Sequence, residues 1–294
     1  MALVLWKPNN TPFAIFDQPF RDFVFFDQHV RIFQKPEETI KSHGTIPHTV
    51  WSSAFVLCRF FEYTEHLDRF RAKYKDELKE LEGIDEQHFK EKNECINFYE
   101  KSLIEESDDD KLCKLKSLDK VFRKKKILEI GSGTGICGIV LQKFVPFVNV
   151  TITDIPEALD LIEKNVQYTL NNSNNDIKND NLNQSTPLPI IKSLMWGKES
   201  CEQDEWKDSK FDFIVASDVV YIPETFSLLV ETFQHFHQHN PELIIFLAYK
   251  KRYAREQKFF TLLRNAGFKK RDLMLYDNPA FFSQMSRNKL GYDS

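Results

Sequence analysis

Three stretches of this 294-residue chain combine side chains suited to chemistry. The first is E-I-G-S-G-T-G, from Glu129 to Gly135, an acid followed by glycines at alternate positions. Four of the nine glycines fall between Gly131 and Gly138, and such a turn can approach a ligand without Cβ contacts. The second is Asp154, which closes the apolar run N-V-T-I-T-D, 21 residues after Gly133. A carboxylate at the carboxyl end of a strand can accept both hydroxyls of a ribose. The third is D-V-V-Y, Asp218 to Tyr221, an acid and a phenol separated by two valines.

Turns that hold phosphates, dinucleotides or S-adenosylmethionine all concentrate glycine after a strand. A phosphate loop requires G-x-x-x-x-G-K-[ST]; here Gly138 is followed by Ile139, so the lysine and the metal-binding hydroxyl are missing. A dinucleotide fingerprint beginning at Gly131 requires glycine where Ile136 stands. One beginning at Gly133 does match, as G-T-G-I-C-G, but it starts late for a strand ending near Ile130. Asp154 alone would suit a dinucleotide equally well.

The elements that must position these residues alternate from Lys124 onward. K-K-I-L-E-I-G reads as a strand and G-I-C-G-I-V-L-Q-K-F as a helix. Strands follow at Asn149–Asp154, Leu188–Trp196 and Phe211–Asp218, with a helix over Pro156–Leu170, whose proline suits a first turn. A helix at E-T-F-S-L-L-V-E-T-F-Q-H-F-H-Q-H, a strand at P-E-L-I-I-F-L-A-Y, a helix ending at Gly267 and a strand at F-K-K-R-D-L-M-L complete the series. This alternation specifies an α/β fold, a parallel sheet covered by helices on both faces.

Upstream, Phe23–Gln34 reads as one or two strands, and Thr49–Leu67 as a buried helix. Three regions are therefore expected: an N-terminal strand and helix extension over 1–62 packed on the core, a mixed-charge helical insert over 63–121, and a core over 122–294. The core contains an Asn-rich loop at 171–186 with no capacity to form a hydrophobic interior.

Composition narrows the function. A hydrophobic fraction of 41% with 27 Phe indicates a globular chain, and a net charge of −4 argues against a nucleic-acid partner. No run reaches the roughly 18 apolar residues that would cross a membrane, and the N-terminus does not resemble a secretory signal. The five cysteines are an odd number without C-x-x-C spacing, which suits unpaired thiols in a reducing compartment. His235, His237 and His239 alternate and splay around a helix, so no metal is expected.

The glycine turn resembles the first motif of class I S-adenosylmethionine-dependent methyltransferases, with Glu129, Gly131, Gly133 and Gly135 carrying the match. T-V-W-S-S-A-F-V-L-C-R-F-F-E, T-I-T-D-I-P-E-A-L-D-L-I-E-K-N-V-Q, L-M-W-G and the segment from Phe211 to Phe236 extend the likeness. Together they resemble the methyltransferase-like 21 group of seven-strand protein-lysine methyltransferases, over about 27–60 and 124–266. The tail beyond Leu275 lacks the apolar closing strand that the resemblance calls for.

The resemblance implies a Rossmann-like class I sheet with S-adenosyl-L-methionine as cofactor. It implies that Trp51 packs on the cofactor, that Gly131, Ser132 and Gly133 line its methionine side, and that Asp154 holds the ribose. Trp196 would cover adenine, with Ser217 nearby. The two valines of D-V-V-Y disfavour a planar amide-like target of the [ND]-P-P-[YF] kind, and D-x-x-Y resembles the pattern of lysine methyltransferases. Asp218 and Tyr221 are then the catalytic pair, acting on an ε-amine with a reference pKa near ~10.4. The implied substrate is a folded protein of the chaperone, AAA ATPase or elongation-factor type, and the enzyme a cytoplasmic monomer with room for a nuclear pool. A cofactor-binding interaction module, or a methyltransferase acting on another nucleophile, are the alternatives.

Overall fold

The structure, a computed structural model, describes residues 2–6, 18–26, 28–37, 48–62, 121–171, 187–250, 252–269 and 271–274. The insert expected over 63–121, the Asn-rich loop and the tail beyond Leu275 lie outside these residues, save positions 121 and 171 at their edges.

The N-terminal part supplies β1 (Ala2–Trp6), an antiparallel hairpin of β2 (Phe20–Phe25) and β3 (Gln28–Phe33), and a helix α1 at 52–62. The alternating series follows as β4 (Lys126–Ile130), α2 (Ile136–Phe144), β5 (Asn149–Asp154), α3 (Leu159–Val166) and β6 (Ile190–Ser193). It continues through α4 (Lys198–Cys201), β7 (Phe213–Ser217), α5 (Phe226–His239), β8 (Ile244–Lys250), α6 (Gln257–Asn265) and β9 (Arg271–Met274). The seven-stranded sheet runs β6-β5-β4-β7-β8-β1-β9, and its neighbouring strands all pair in parallel. The fold is the α/β, Rossmann-like one expected.

One strand departs from expectation. The slot between β8 and β9 is filled from the N-terminus: Ala2–Trp6 pairs with Phe246–Lys250 on one side, and Ala2–Leu5 with Arg271–Met274 on the other. The strand that completes this edge precedes the core in the chain and runs parallel to its neighbours.

Strands buried on both faces explain the near-continuous apolar runs. Along β7, Phe213 and Val215 face one cluster while Ile214 and Ala216 face the other; β8 sends Phe246 and Ala248 one way, Ile245 and Leu247 the other. The first cluster is closed by the hairpin, α1 and α2, through Phe25, Ile32, Leu57, Phe61 and Ile139, all fully or almost fully buried. The second is closed by α5 and α6. Phe226, Leu229, Phe233 and Phe236 step by three or four along α5, placing one stripe on the sheet.

Glu129 is the exception in β4. It points into the first cluster among apolar neighbours, and its Oε2 accepts the Gly138 N–H of α2 at 2.8 Å. Helix and carboxylate come this close because Gly138 has no side chain. A Cβ there would lie 2.5 Å from Glu129 Oε2 and 2.6 Å from Ile152 Cγ1, and Ile152 is fully buried. Gly138→Ala is therefore expected to destabilise the fold by about 1–2 kcal/mol, overpacking exceeding the helix propensity gained. A lower urea midpoint at unchanged slope is the measurement.

Candidate active site

Parallel strands end on one edge, so the residues that follow β4, β5, β6, β7 and β8 meet there. Gly131 follows Ile130, whose ladder partners are Thr153 and Ala216. Asp154 ends β5 opposite Ser193, and Ser217 ends β7 opposite Ala248. The crevice beyond this edge is where open α/β sheets bind ligands.

The glycine turn is fixed by backbone hydrogen bonds. Ser132 N donates to Thr153 O at 3.1 Å and Gly135 N to Ser132 O at 2.9 Å, while Gly133 N donates to Asp154 Oδ2 at 2.6 Å. Gly131 has φ of 59°, and a Cβ on it would meet Val219 Cγ1 at 2.8 Å and Trp196 Cζ2 at 2.9 Å. Trp196, half-buried after β6, and Val219 of D-V-V-Y thus close on the turn from two sides. Ser217 meets the turn's helix instead: Cys137 Sγ donates to its Oγ at 3.9 Å and lies 3.9 Å from Cys58 Sγ. The contact with Cys58 and burial push the Cys137 thiol well up, so it stays protonated.

Two carboxyls stand behind the turn. Burial pushes the Asp154 carboxyl above the ordinary value of 3.8, and the N–H groups of Gly133 and Ile155, with His48, pull against it. Glu129 is deeper. Burial, with help from the charge of Asp154 and against the Gly138 N–H, pushes it up to about 8. Its proton is retained on folding while the unfolded chain loses it near 4.5. Stability should therefore be full below that value and fall as pH rises toward 8, where the folded carboxyl ionises too. Glu129→Gln, which mimics the protonated acid, is expected to remove that slope in denaturant titrations across this range.

The D-V-V-Y segment leaves β7 with Asp218 at φ of 58°, its N–H still held by Ala248 O at 2.8 Å. Its side chain is 3% exposed and is held at both oxygens by Arg252, Nη1 to Oδ1 and Nη2 to Oδ2, each at 2.8 Å. Arg252 follows β8; its backbone N–H bonds the buried Glu256 carboxylate at 3.0 Å, and its guanidinium lies 5.7 Å from the centre of the Trp51 ring. Val220 is fully buried and Tyr221 half-buried.

The structure thus gathers Gly131, Ser132, Gly133, Asp154 and Trp196 around one turn, with Val219 linking that turn to Asp218. Trp51 comes in beside Asp218 through Arg252. Glu129 and Gly135 sit under the turn, Gly135 entering α2 and Glu129 braced on it. Arg252 and Glu256 did not emerge from the sequence. Lys250, Lys251 and Arg252 are three consecutive bases at the end of a strand, and nothing in their order marks which one turns back onto Asp218. Among the described residues no group of three or more His, Cys, Asp or Glu is placed to hold a metal; His235 Nε2 instead contacts Trp206 O at 3.3 Å.

A family model described as lysine methyltransferase matches residues 31–266. The chain belongs to the lysine methyltransferase family. Relatives include the EEF1A lysine methyltransferase 3 of Xenopus tropicalis, 35% identical over 45% of this chain and 49% of that one. The protein N-lysine methyltransferase METTL21A of Danio rerio is 32% identical over 52% of this chain and 62% of its own. The protein-lysine N-methyltransferase EFM6 of Saccharomyces cerevisiae is 30% identical over 55% and 63%. The chain therefore spans about half to under two thirds of the length of the curated relatives it matches.

This lysine methyltransferase family implies S-adenosylmethionine as methyl donor, and the residues at the sheet edge fit it. Asp154 is engaged by the backbone N–H groups of Gly133 and Ile155, in the place where a sugar diol would be accepted. Ser132 Oγ is buried without a hydrogen-bond partner beside the turn, and such an atom calls for one. The cradle at Gly131, which a single Cβ would fill, allows close approach.

Proposed function

We propose that this chain methylates the ε-amine of a lysine on a folded protein, with S-adenosylmethionine as donor. The observation that carries the proposal is Val219. Its Cγ1 packs on Gly131 while its neighbour Asp218 begins the D-x-x-Y segment, so the donor turn and the acceptor segment share a wall.

In this reading Gly131, Ser132 and Gly133 line the methionine part of the cofactor, Asp154 accepts the ribose hydroxyls, and Trp196 covers adenine. Ser217 and Trp51 complete the surround, and Glu129 and Gly135 shape the turn. When bound, the cofactor supplies a methyl already activated on a sulfonium. The chain then has to position the amine, exclude water and let its proton go. Asp218 accepts an N–H of the amine and fixes its direction. Tyr221 adds a hydroxyl and a ring wall.

The name of one relative, the EEF1A lysine methyltransferase 3, favours an elongation factor of that type as first candidate substrate; chaperones and AAA ATPases, which the resemblance implies, come next, with the cytoplasm as the proposed place of encounter. Incubation of the purified protein with tritiated S-adenosylmethionine and a cell lysate tests the proposal. Label sensitive to protease and indifferent to nuclease is expected. Label removed by nuclease, or passing into the small-molecule fraction, would overturn the proposed substrate class.

A further inference from the structure

Asp218 is not a bare carboxylate. Arg252 occupies one lone pair on each of its oxygens with parallel bonds of 2.8 Å, and the pair is sequestered, with the Asp218 side chain 3% and that of Arg252 25% exposed. The hold is built rather than incidental. Glu256, itself 2% exposed at the start of α6, fixes the Arg252 backbone N–H, and the Lys250 carbonyl accepts a further bond from Nη1 at 3.3 Å. Trp51, from the segment before α1, lies beside the guanidinium. The charged and titratable groups acting on Arg252 are Asp218 just after β7, Glu256 just before α6 and Tyr253 next in the chain.

An isolated carboxylate would be a poor partner for a lysine that has to react. An anion within a few ångströms favours the ammonium and moves its pKa up by roughly 1–3 from about 10.4, away from the working pH. An ammonium has no lone pair and cannot accept a methyl group. A carboxylate offers about four acceptor positions, so two remain open when a guanidinium fork takes the others.

We propose that Arg252 is a positioning residue that neutralises Asp218, so that the carboxylate orients the target amine through its remaining lone pairs without stabilising the amine's protonated form. The inference rests on the lysine-methylating reading above. The proton leaves the ammonium for solvent and its bonding pair stays on nitrogen as the lone pair; no further reactant is needed. The guanidinium suits the task because it stays charged at any pH of interest, and its hydrogen bonds to Asp218 push its own pKa further up.

The test compares wild-type protein, Arg252→Gln and Arg252→Lys by initial rates from about pH 7 to 11, with saturating tritiated S-adenosylmethionine and lysate protein raised until the rate no longer depends on it, a condition that reports kcat and so the groups of the enzyme–substrate complex. Arg252→Gln should move the rising basic limb up by about one pH unit or more, with at least a tenfold loss near pH 7.5 that shrinks only above about pH 10, where the wild-type rate levels off and the variant's still rises. Arg252→Lys, which keeps the positive charge, should leave the limb in place. Thermal melts and cofactor affinity of both variants check folding.

A loss in Arg252→Gln of the same factor at every pH, with the limb unmoved, would reduce Arg252 to a structural brace and overturn this inference alone. A shifted limb in Arg252→Lys equal to that in Arg252→Gln would also overturn it, because charge would not then be the cause. Wild-type protein that labels no lysine at any pH overturns the functional reading, and the inference with it.

Discussion

Replacing Asp218 by Asn lowers methyl transfer at least ~100-fold while S-adenosylmethionine still binds, in keeping with the loss of an oriented charged contact at a reacting group. Asparagine keeps the shape and tolerates the positive φ of 58° at this position, so the backbone of the D-V-V-Y turn should survive. What is lost is the negative charge that holds Arg252 and the acceptor that aligns the amine. A part-buried guanidinium left without its carboxylate costs stability, on the order of a few kcal/mol, so a lower melting temperature accompanies the effect. Cofactor affinity separates the two consequences. Affinity within roughly threefold of wild type with transfer abolished places the defect at the acceptor side; loss of both would mean that the sheet edge has collapsed.

The second large effect falls on the donor side. Asp154→Ala should weaken S-adenosylmethionine binding by about 100-fold or more, because two charge-assisted hydrogen bonds of about 1.5–3 kcal/mol each disappear. The turn also suffers directly, since Gly133 N loses the acceptor it meets at 2.6 Å. Titration calorimetry measures this, and its pH dependence adds a sign. Burial pushes the Asp154 carboxyl up, so affinity should fall on acidification at a pH higher than an ordinary aspartate would give, as protonation removes an acceptor. Affinity unchanged in Asp154→Ala would remove this residue from the cofactor site.

The core was legible in the sequence because its information is local. Near-continuous apolar runs such as Ile127–Ile130 and Phe213–Ala216 declare strands buried on both faces, and the stripe Phe226, Leu229, Phe233, Phe236 declares a helix and its buried side. The parallel alternation then places Asp154, Trp196 and Asp218 on one edge without any knowledge of contacts. What could not be read depends on partners distant in the chain. Ala2–Trp6 is five residues long and becomes a strand only by pairing with β8 and β9, more than 240 positions away. The Asp218–Arg252 fork spans 34 positions and two strand ends.

Some residues carried more than their motif disclosed. Glu129 belongs to the glycine motif, yet its carboxyl turns away from the turn's outer surface to Gly138, a glycine whose spacing alone does not disclose that partner. Val219 argued against a planar target by its identity alone. In the fold it is also the wall of Gly131, 2% exposed, a role that no spacing rule assigns.

The chemical nature of the acceptor separates a lysine methyltransferase from an enzyme that modifies another nucleophile. Acid hydrolysis of protein labelled from tritiated S-adenosylmethionine, followed by separation of the amino acids, tests it most directly. Radioactivity that co-migrates with Nε-methylated lysine, and that is lost when Asp218→Asn replaces the wild type, is the predicted result. Radioactivity on methylated arginine or histidine, or released as methanol from a base-labile carboxyl ester, would contradict methyl transfer to a lysine ε-amine.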